Sequence, residues 1–431
     1  MTTIITNCGE IAHLSTGDIT KPISGYEMSD KESLVYAKDN AIIIKDGKIK
    51  TINQNDVVID EFIPWYEGGN IKRSGYDIID AEGKAIIPGL VDSHTHLVWS
   101  GDRYNELSMR QQGLSYHDIS KLGGGIKKTV ESTRNTKFSK LLSKASERLD
   151  IAMMHGTTTL EAKSGYGLSN NTEDILLKVV SSLAETSHCN IFSTWLGAHD
   201  FPTDKNKNEY IEELIEIQLP NVYENKLAKW VDVFCEPGWF SLEDTERIVK
   251  ASHEVGLKSR LHVDEFVDSN GLKLASELGS VSGDHVAFSN DDSRNLASKN
   301  GTMQTFLPGT PYILGKKIDL PIQKCIDECW NFAIASDFNP NYSSLSMPFI
   351  GSLLTHRLDI NPLTSLVAST RNPASTLFDS NEMRGTLSIG SPADLNIIAS
   401  SYIDGWCQTP GINSISKTMI NGIIVNSNKT I

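Results

Sequence analysis

The sequence predicts an α/β protein, in which a (β/α)₈ TIM-type barrel is joined to a small β-sandwich domain built from both termini. Two observations lead to this prediction. Eight strand-like runs alternate with helical stretches through the middle of the chain, and strand-rich segments with glycine turns stand at its two ends. We therefore expect a composite β-sandwich domain formed by residues 1–85 and 385–431, and a barrel formed by residues 86–384.

The two ends of the chain show the pattern of β-hairpins. In Asn40–Asn53 a β-branched run is followed by an Asp-Gly turn and then by alternating residues, and another turn follows at Glu82–Gly83. Gly385–Ser400 and Lys417–Asn428 again combine apolar runs with glycine turns. Because these strands flank a different middle, we expect them to join in one domain, with Glu61–Gly75 as a loop.

The middle of the chain alternates apolar runs of strand length with stretches of helix length. The candidate strands are Gly89–Leu97, Thr157–Ala162, Ile191–Gly197, Trp230–Cys235, Lys258–Val263, Val281–Val286, Met303–Leu307 and Asn331–Ser336. The candidate helices include Lys137–Met154, Asn171–Thr186, Asn208–Leu219, Leu242–Val255 and Ser269–Leu278. Strands that alternate with helices form parallel sheets, so this pattern predicts a barrel.

The 431-residue chain has the composition of an ordinary globular protein, with 39% hydrophobic and 22% charged residues. Its net charge of −14 argues against a nucleic-acid partner, because a basic face is needed to neutralise phosphates. The six cysteines are scattered without a CxxC pair, so no disulfide framework is predicted. No signal-peptide pattern occurs, and no apolar stretch approaches the roughly 20 residues that span a membrane. We expect a cytoplasmic protein with no membrane partner.

His94 and His96 stand one residue apart at the end of the first candidate barrel strand. Side chains two apart in a strand point to the same side, so both imidazoles would face the barrel interior near its carboxyl end. Barrels of this kind place their active sites at that end. Taken alone, the pair is either a metal-binding pair or two polar residues that close a strand.

Three other strand ends carry titratable side chains. His262 ends the fifth candidate strand, His285 ends the sixth, and Asp337 follows the eighth. Each alone has an ordinary explanation, as a hydrogen-bonded core imidazole or a helix N-cap. Together with the histidine pair they supply imidazoles and a carboxylate around one centre. Such a set suits Zn²⁺ or iron with one position left for water.

This pattern predicts metal-assisted hydrolysis of a C–N bond. A divalent metal lowers the pKa of its bound water and polarises a carbonyl. Glu265 follows His262 by three residues, where it could act as a general base or proton shuttle. His285 could hydrogen-bond an oxyanion or orient the nucleophile.

Candidate substrate contacts follow the first three strands. Arg103 would overhang the barrel mouth, where its planar guanidinium suits a carboxylate, unless it is a solvated surface arginine. Tyr166 lies in a glycine-flanked segment and could either bind a ligand or pack on the barrel rim. His199 follows the third strand. Lys163 would contact a ligand or pair with Glu161 or a neighbouring carboxylate.

Nine segments of the chain recur, in the same order, in one known family. They are PGLVDSHTHL, GGGIKKTVESTR, GTTTLEAKSGYGL, WLGAHD, VDVFCEPGWF, LHVDEF, GDHV, FLPGT and SDFNP. Over about residues 40–425 the chain thus resembles the imidazolonepropionase family of the metal-dependent amidohydrolase superfamily. The resemblance implies hydrolytic ring opening of 4-imidazolone-5-propanoate to N-formimidoyl-L-glutamate, a step of histidine degradation.

The resemblance also implies roles for individual residues. One metal ion, Zn²⁺ or iron as Fe²⁺ or Fe³⁺, would be bound by His94, His96, His262 and Asp337. The catalytic residues would be Glu265, His285 and Asp337. The small-molecule substrate would be held by Arg103, Tyr166, His199, Glu265, Asn339 and Asn341, with Arg103 as the partner of its propionate. Because two-fold dimers are the commonest assemblies, we also expect a homodimer.

The segment after SDFNP departs from many bacterial members of the family, which carry a glycine followed by small hydroxyl residues. This chain has Asn341-Tyr342-Ser343-Ser344, closer to the NPN form of animal-type members. Asn341 and Tyr342 therefore cannot simply take over the backbone role of a glycine.

Two other functions fit part of the pattern. A different hydrolase of the superfamily, related to cytosine deaminase or acting on another cyclic amidine, would share the metal site but would not need Arg103. A non-catalytic scaffold would have lost metal ligands, whereas every expected ligand is present in this sequence.

Overall fold

The computed structural model describes residues 1–62, 76–114, 116–379, 382 and 384–428. Their strands are β1 Thr2–Cys8, β2 Ile11–Ala12, β3 Val35–Tyr36, β4 Asn40–Lys45, β5 Lys48–Gln54, β6 Asp77–Asp80, β7 Ile86–Pro88, β8 Leu90–Thr95, β9 Thr157–Lys163, β10 Asn190–Ala198, β11 Trp230–Cys235, β12 Lys258–Val263, β13 Ser282–His285, β14 Met303–Phe306, β15 Phe332–Ile334, β16 Leu395–Ile398, β17 Ile415–Ile420 and β18 Ile423–Ser427.

The α-helices in these residues are α1 Lys31–Leu34, α2 Asn55–Phe62, α3 Glu106–Gln111, α4 Tyr116–Lys121, α5 Gly125–Arg134, α6 Phe138–Met154, α7 Asn170–Thr186, α8 Lys207–Glu213, α9 Leu219–Glu224, α10 Leu242–Glu254, α11 Gly271–Glu277, α12 Asp291–Asn300, α13 Gly309–Ile313, α14 Ile322–Asp327, α15 Met347–Leu358, α16 Pro362–Val367 and α17 Arg371–Ala374. Among the described helices, none has the length and apolar character needed to cross a bilayer. The predicted loop Glu61–Gly75 lies outside the described residues, except for Glu61 and Phe62 at the end of α2.

Two compact units make up the chain. The first comprises Met1–Asp92, Ile151–Thr159 and Ser346–Ile431, and the second comprises Ser93–Asp150 and Leu160–Leu345. The first unit contains the segments that the sequence assigns to a composite domain, together with the segment that carries α15, α16 and α17. The predicted domain boundaries themselves stay a prediction.

Two sheets in the first unit form the small β domain that the sequence predicts. One has the strand order β5-β4-β1-β6, and the other, β18-β17-β16-β7-β2-β3, draws its strands from both ends of the chain. Their shared core contains Ile5, Ile42, Ile44, Leu395, Ile397 and Met419. The predicted hairpin turn at Asp46–Gly47 is confirmed, and the glycine turn expected within Lys417–Asn428 lies at Asn421–Gly422; all four residues have φ between 50° and 77°. Such left-handed pairs match the twist of two antiparallel strands.

Eight strands in the order β15-β14-β13-β12-β11-β10-β9-β8 form the barrel. Its closure is parallel, because Thr95 pairs with Phe338, and the His96 N–H donates to the Phe338 carbonyl at 2.8 Å. The predicted strands Trp230–Cys235 and Lys258–Val263 are confirmed at both ends, and the others agree to within one or two residues. Since parallel strands all end at one rim, side chains at their carboxyl ends meet there.

Candidate metal centre and active site

Three imidazoles and a carboxylate meet at the carboxyl end of the barrel. His94 Nε2 and His96 Nε2 lie 3.8 Å and 3.7 Å from Asp337 Oδ1. The His262 ring packs against the His94 ring, with centroids 4.4 Å apart. All four side chains are buried. The structure thus brings together the four residues that the resemblance implies as metal ligands.

The donor atoms of this cluster fit a divalent metal. Within the described residues, two sets of potential ligand atoms lie within 4.8 Å of one another: His94, His96 and Asp337, and His94, His262 and His285. His94 Nε2 and His262 Nε2 are buried without a hydrogen-bond partner in that part of the chain. A buried polar atom without a partner costs about 1–3 kcal/mol, which coordination to a cation would offset. Imidazole and carboxylate donors are typical of zinc and iron sites.

Burial favours the neutral form of three imidazoles at this centre. It lowers the pKa values of His94, His96 and His285 well below the ordinary value. A neutral imidazole keeps the lone pair that a metal requires. Burial also raises the pKa of Asp337 to about 6, and the Thr310 hydroxyl, which donates to Oδ2 at 2.6 Å, opposes this rise. A bound cation would favour the ionised carboxylate.

Two carboxylates that were not predicted from the sequence contact the other ring nitrogens. Asp284 Oδ2 lies 2.7 Å from His94 Nδ1, and Asp232 Oδ2 lies 2.9 Å from His262 Nδ1. The contact between Asp284 and His94 has hydrogen-bond geometry, whereas that between Asp232 and His262 is a close contact without it. A carboxylate that accepts the Nδ1 proton leaves the Nε2 lone pair available to a metal. The signal was present in the sequence, because an aspartate inside a wholly buried strand, as in VDVFC and SGDH, needs a partner.

Lys163 joins these two carboxylates within the barrel. Its Nζ lies 2.8 Å from Asp232, 3.0 Å from Glu161 and 3.7 Å from Asp284. The predicted pairing of Lys163 with Glu161 or a neighbouring carboxylate is confirmed. Burial acts to lower the pKa of Lys163, but the three carboxylates outweigh it and raise that pKa, so the ammonium stays charged.

A break in strand alternation allows Asp284 and His285 to reach the same centre. Consecutive side chains of a strand point to opposite faces, so a regular β13 would turn one of the two away. Instead His285 and Val286 have φ of 74° and 47°. A left-handed backbone is costly for a β-branched residue, and such strain concentrates at functional sites. The turn places His285 on the wall of a cavity next to the metal cluster.

This cavity has a volume of about 480 Å³ and opens at the barrel rim. Its walls combine the polar residues of the centre with apolar ones: Ile126, Phe234, Trp239, Phe266 and Leu314. Glu265 lies on its wall, with Oε2 3.7 Å from His285 Nε2. Burial, together with the charges of Asp337 and Glu236, raises the pKa of Glu265 well above its ordinary value. A carboxyl group of this kind can hold and release a proton near neutral pH.

Tyr166 and His199 line the same cavity as Glu265, and they contact the histidine cluster. The His199 ring stacks on His96 at 5.1 Å, and Tyr166 lies 5.1 Å from His199. His199 Nδ1 donates to the Gly165 carbonyl at 3.0 Å, which leaves Nε2 as an acceptor. Gly165 has φ of 109°, and a Cβ there would lie 2.8 Å from His199 Nδ1, so this position of the KSGYGL segment requires glycine.

Arg103 lines the cavity. The alternative prediction, that it is a solvated surface arginine, is wrong, because only 4% of the residue is exposed. Its Nε and Nη2 donate to the two carboxylate oxygens of Glu106 at 2.9 Å and 2.7 Å. Glu106 also accepts the Gly125 N–H at 2.8 Å. This ion pair was not predicted from the sequence, although the spacing of three residues at the start of a helix allows it.

Asn339 and Asn341 both line the cavity, and their side chains bind neighbouring parts of the protein. The Asn339 amide donates to the Asp337 carbonyl at 2.8 Å and accepts the N–H groups of Asn341 and Tyr342 at 2.8 Å and 3.1 Å. It therefore fixes the loop after the metal-cluster carboxylate. Asn341 Oδ1 accepts a hydrogen bond from Arg110 Nη1 at 2.7 Å. Arg110 had not been predicted as a site residue.

Known proteins are similar to this chain in sequence. A model of the amidohydrolase family matches residues 77–163. The chain is 37% identical over 391 residues to an imidazolonepropionase of Thermoanaerobacter pseudethanolicus, covering 90% of each chain. It is 35% identical to an imidazolonepropionase of Treponema denticola, covering 93% of this chain and 95% of that one. An imidazolonepropionase of Haloarcula marismortui is 33% identical, with 93% of each chain covered.

Solved structures of low sequence identity share the fold. A 5-methylcytosine deaminase from Klebsiella pneumoniae, liganded with phosphonocytosine, superposes with a TM-score of 0.70 over 100% of this chain and 99% of that one, at 15% identity. A guanine deaminase from C. acetobutylicum has a TM-score of 0.64 at 16% identity, covering 99% and 100% of the two chains. These structures confirm the predicted barrel with its added β domain.

Proposed function

The chain belongs to the imidazolonepropionase family, and on this premise we propose that it is the hydrolase that opens the ring of 4-imidazolone-5-propanoate to give N-formimidoyl-L-glutamate in histidine degradation. One observation carries the proposal: the histidine cluster, Glu265 and the buried Arg103 all line or adjoin a single cavity of about 480 Å³. The substrate has two groups that match this cavity. Its cyclic amide would be hydrolysed beside the histidine cluster, and its propionate would pair with the Arg103 cation.

We assign one metal ion to His94, His96, His262 and Asp337. When bound there, the ion would polarise the ring carbonyl and lower the pKa of water. The alternative set that includes His285 is less suitable, since it lacks a carboxylate and uses the imidazole nearest to Glu265. Zn²⁺ and iron both accept this donor set, so the choice of metal rests on metal analysis.

We assign proton transfer to Glu265. Its burial favours the protonated carboxyl, whereas a cation near Asp337 would favour the carboxylate, so the group can exist in both forms near neutral pH. As a carboxylate it would take a proton from the attacking water, and it would then deliver that proton to the ring nitrogen as the C–N bond breaks. His285, a neutral imidazole, would donate a hydrogen bond to the developing oxyanion.

We assign substrate positioning to residues on the cavity wall. Arg103 would bind the propionate, and its rigid pairing with Glu106 holds the guanidinium in place before substrate arrives. Tyr166 would donate its hydroxyl to the substrate, and His199 would accept a ring N–H through Nε2. Asn339 and Asn341 would form the cavity wall beside them.

The decisive experiment follows the reaction itself. Imidazolone propionate is generated in situ from urocanate by urocanase, and its loss and the product are followed by ultraviolet absorbance and mass spectrometry. We expect metal-loaded protein to form N-formimidoyl-L-glutamate, chelator treatment to abolish this, and added metal to restore it. Decay of the substrate at the same rate with and without metal-loaded protein would contradict the proposal. Release of ammonia from cytosine under the same conditions would favour a deaminase instead.

We also propose that the protein is a cytoplasmic homodimer. Sedimentation equilibrium should then give about twice the 47.5 kDa mass of the chain. A mass equal to that of one chain at micromolar concentration would contradict the dimer, and recovery in a membrane or secreted fraction would contradict the location.

A further inference from the structure

Three cationic side chains line the active-site cavity: Arg103, Arg110 and Lys316. They differ in what balances their charge. The guanidinium of Arg103 is paired with both oxygens of Glu106, so that charge is matched inside the protein. Lys316 is an exposed residue, and its charge opposes the rise in the pKa of Glu265 without reversing it.

Arg110, like Lys316 and unlike Arg103, has no carboxylate of the described residues within ion-pair distance, but it is half-buried whereas Lys316 is exposed. The hydrogen bond that the structure gives it goes to the neutral Asn341 side chain, at 2.7 Å from Nη1. Partial burial lowers the pKa of Arg110, and the charges of Glu106 and Arg103 act on it in opposite directions. A half-buried guanidinium that is bonded to an amide still has donors and a full charge with which to bind an anion.

Arg103, Glu106 and Arg110 follow one another along the chain at the start of α3, and we call these three residues the row. Glu106 and Arg110 lie four residues apart in α3, on the same face of that helix. Arg103 is bonded to Glu106, and Arg110 follows Glu106 by one helical turn, so the row carries a net charge of +1. A carboxylate bound by Arg103 alone would be the second anion beside Glu106. Arg110 supplies the second cation, so that the bound state is neutral in a partly desolvated cavity.

We propose that Arg110, positioned by Asn341, is a second carboxylate-binding residue of the cavity, and that the row Arg103–Glu106–Arg110 selects ring compounds whose side chain ends in a carboxylate. This rests on the proposed function in taking the bound molecule to be its substrate. It also assigns a role to Asn341, which stands where many bacterial members of the family carry glycine. The amide side chain holds the guanidinium toward the cavity.

Binding of a stable ligand to single variants tests this without turnover. The probe is 3-(imidazol-4-yl)propanoate, compared with its carboxamide, and binding to metal-loaded protein is measured by calorimetry at low and high salt. For the acid, Arg110→Gln should weaken binding about 10- to 100-fold, as loss of a hydrogen bond to a charged group does. For the carboxamide, the same variant should change binding by no more than about threefold. Asn341→Ala should show a smaller loss that is again confined to the acid.

Lys316→Gln provides the matched control, because it removes another cation of the cavity. Lys316 follows α13 in the chain and does not belong to the row. It should alter binding of the acid by less than about threefold. Equal weakening of acid and carboxamide by Arg110→Gln, or no weakening of either, would overturn the inference. The same holds if wild-type protein fails to prefer the acid. If wild-type protein prefers the acid through Arg110 but does not hydrolyse imidazolone propionate, the inference stands and the proposed function fails.

Discussion

Asp284, which contacts the Nδ1 atom of His94, offers the sharpest test of how the protein orients its metal ligands. Asp284→Asn keeps the size of the side chain but removes the charge that accepts the His94 Nδ1 proton at 2.7 Å. A hydrogen bond to a neutral acceptor is roughly half as strong as one to a carboxylate. Loss of such outer partners typically weakens metal binding about 10- to 100-fold, or about 1.4–2.7 kcal/mol. We expect a loss of that size.

The assay is a competition for Zn²⁺ between metal-free protein and a chromophoric chelator, with thermal unfolding as a check of the fold. Glu161→Gln is the matched control. It removes one negative charge from the same buried cluster, because Glu161 also binds Lys163, at 3.0 Å, but its side chain contacts no metal-cluster imidazole in the described structure. The control should bind Zn²⁺ within about threefold of wild type. If both variants lose affinity equally, the cluster acts through its total charge and not through the orientation of His94.

Three other variants test the remaining roles. Glu265→Gln should retain metal and substrate binding but lose turnover about 10²–10⁴-fold, since it removes the proton carrier; a near-normal kcat would contradict this. Arg103→Gln combined with Glu106→Gln removes both charges of the buried pair, and should raise KM while metal content stays unchanged. An unaltered KM would refute the role of Arg103. Burial lowers the pKa of His199 to about 3 from 6.5, so the folded state binds fewer protons than the unfolded state and stability falls as pH drops below 6.5. His199→Gln should therefore reduce the loss of unfolding free energy between pH 7 and 5 in urea titrations, and an unchanged loss would contradict this.

The barrel could be predicted because its signals are local. Buried parallel strands of three to nine residues produce apolar runs that glycine turns and helices separate, and the predicted strands deviate by no more than two residues. The hairpins at Asp46–Gly47 and Asn421–Gly422 were equally visible, since few residues accept two consecutive left-handed positions. The helix predicted over Asn208–Leu219 contains a π-helical segment at Leu214–Gln218, and no local signal in the sequence marks that change.

The partners of the site residues could not be predicted from spacing. Asp284 follows His94 by 190 residues and Asn341 follows Arg110 by 231, so only the register of the closed barrel and its loops brings them together. His285 shows a different limit. Regular alternation would turn it away from the face of Asp284, and only its left-handed backbone brings it to the cavity.

The central claim is that a single metal ion binds where three imidazoles and a carboxylate meet. A crystal structure of the zinc-loaded protein, with anomalous scattering measured at the zinc edge, tests it directly. We predict one ion within about 2.0–2.2 Å of a nitrogen of His94, His96 and His262 and an oxygen of Asp337. An ion bound instead by His94, His262 and His285, with the Asp337 carboxylate outside its coordination, would contradict this assignment.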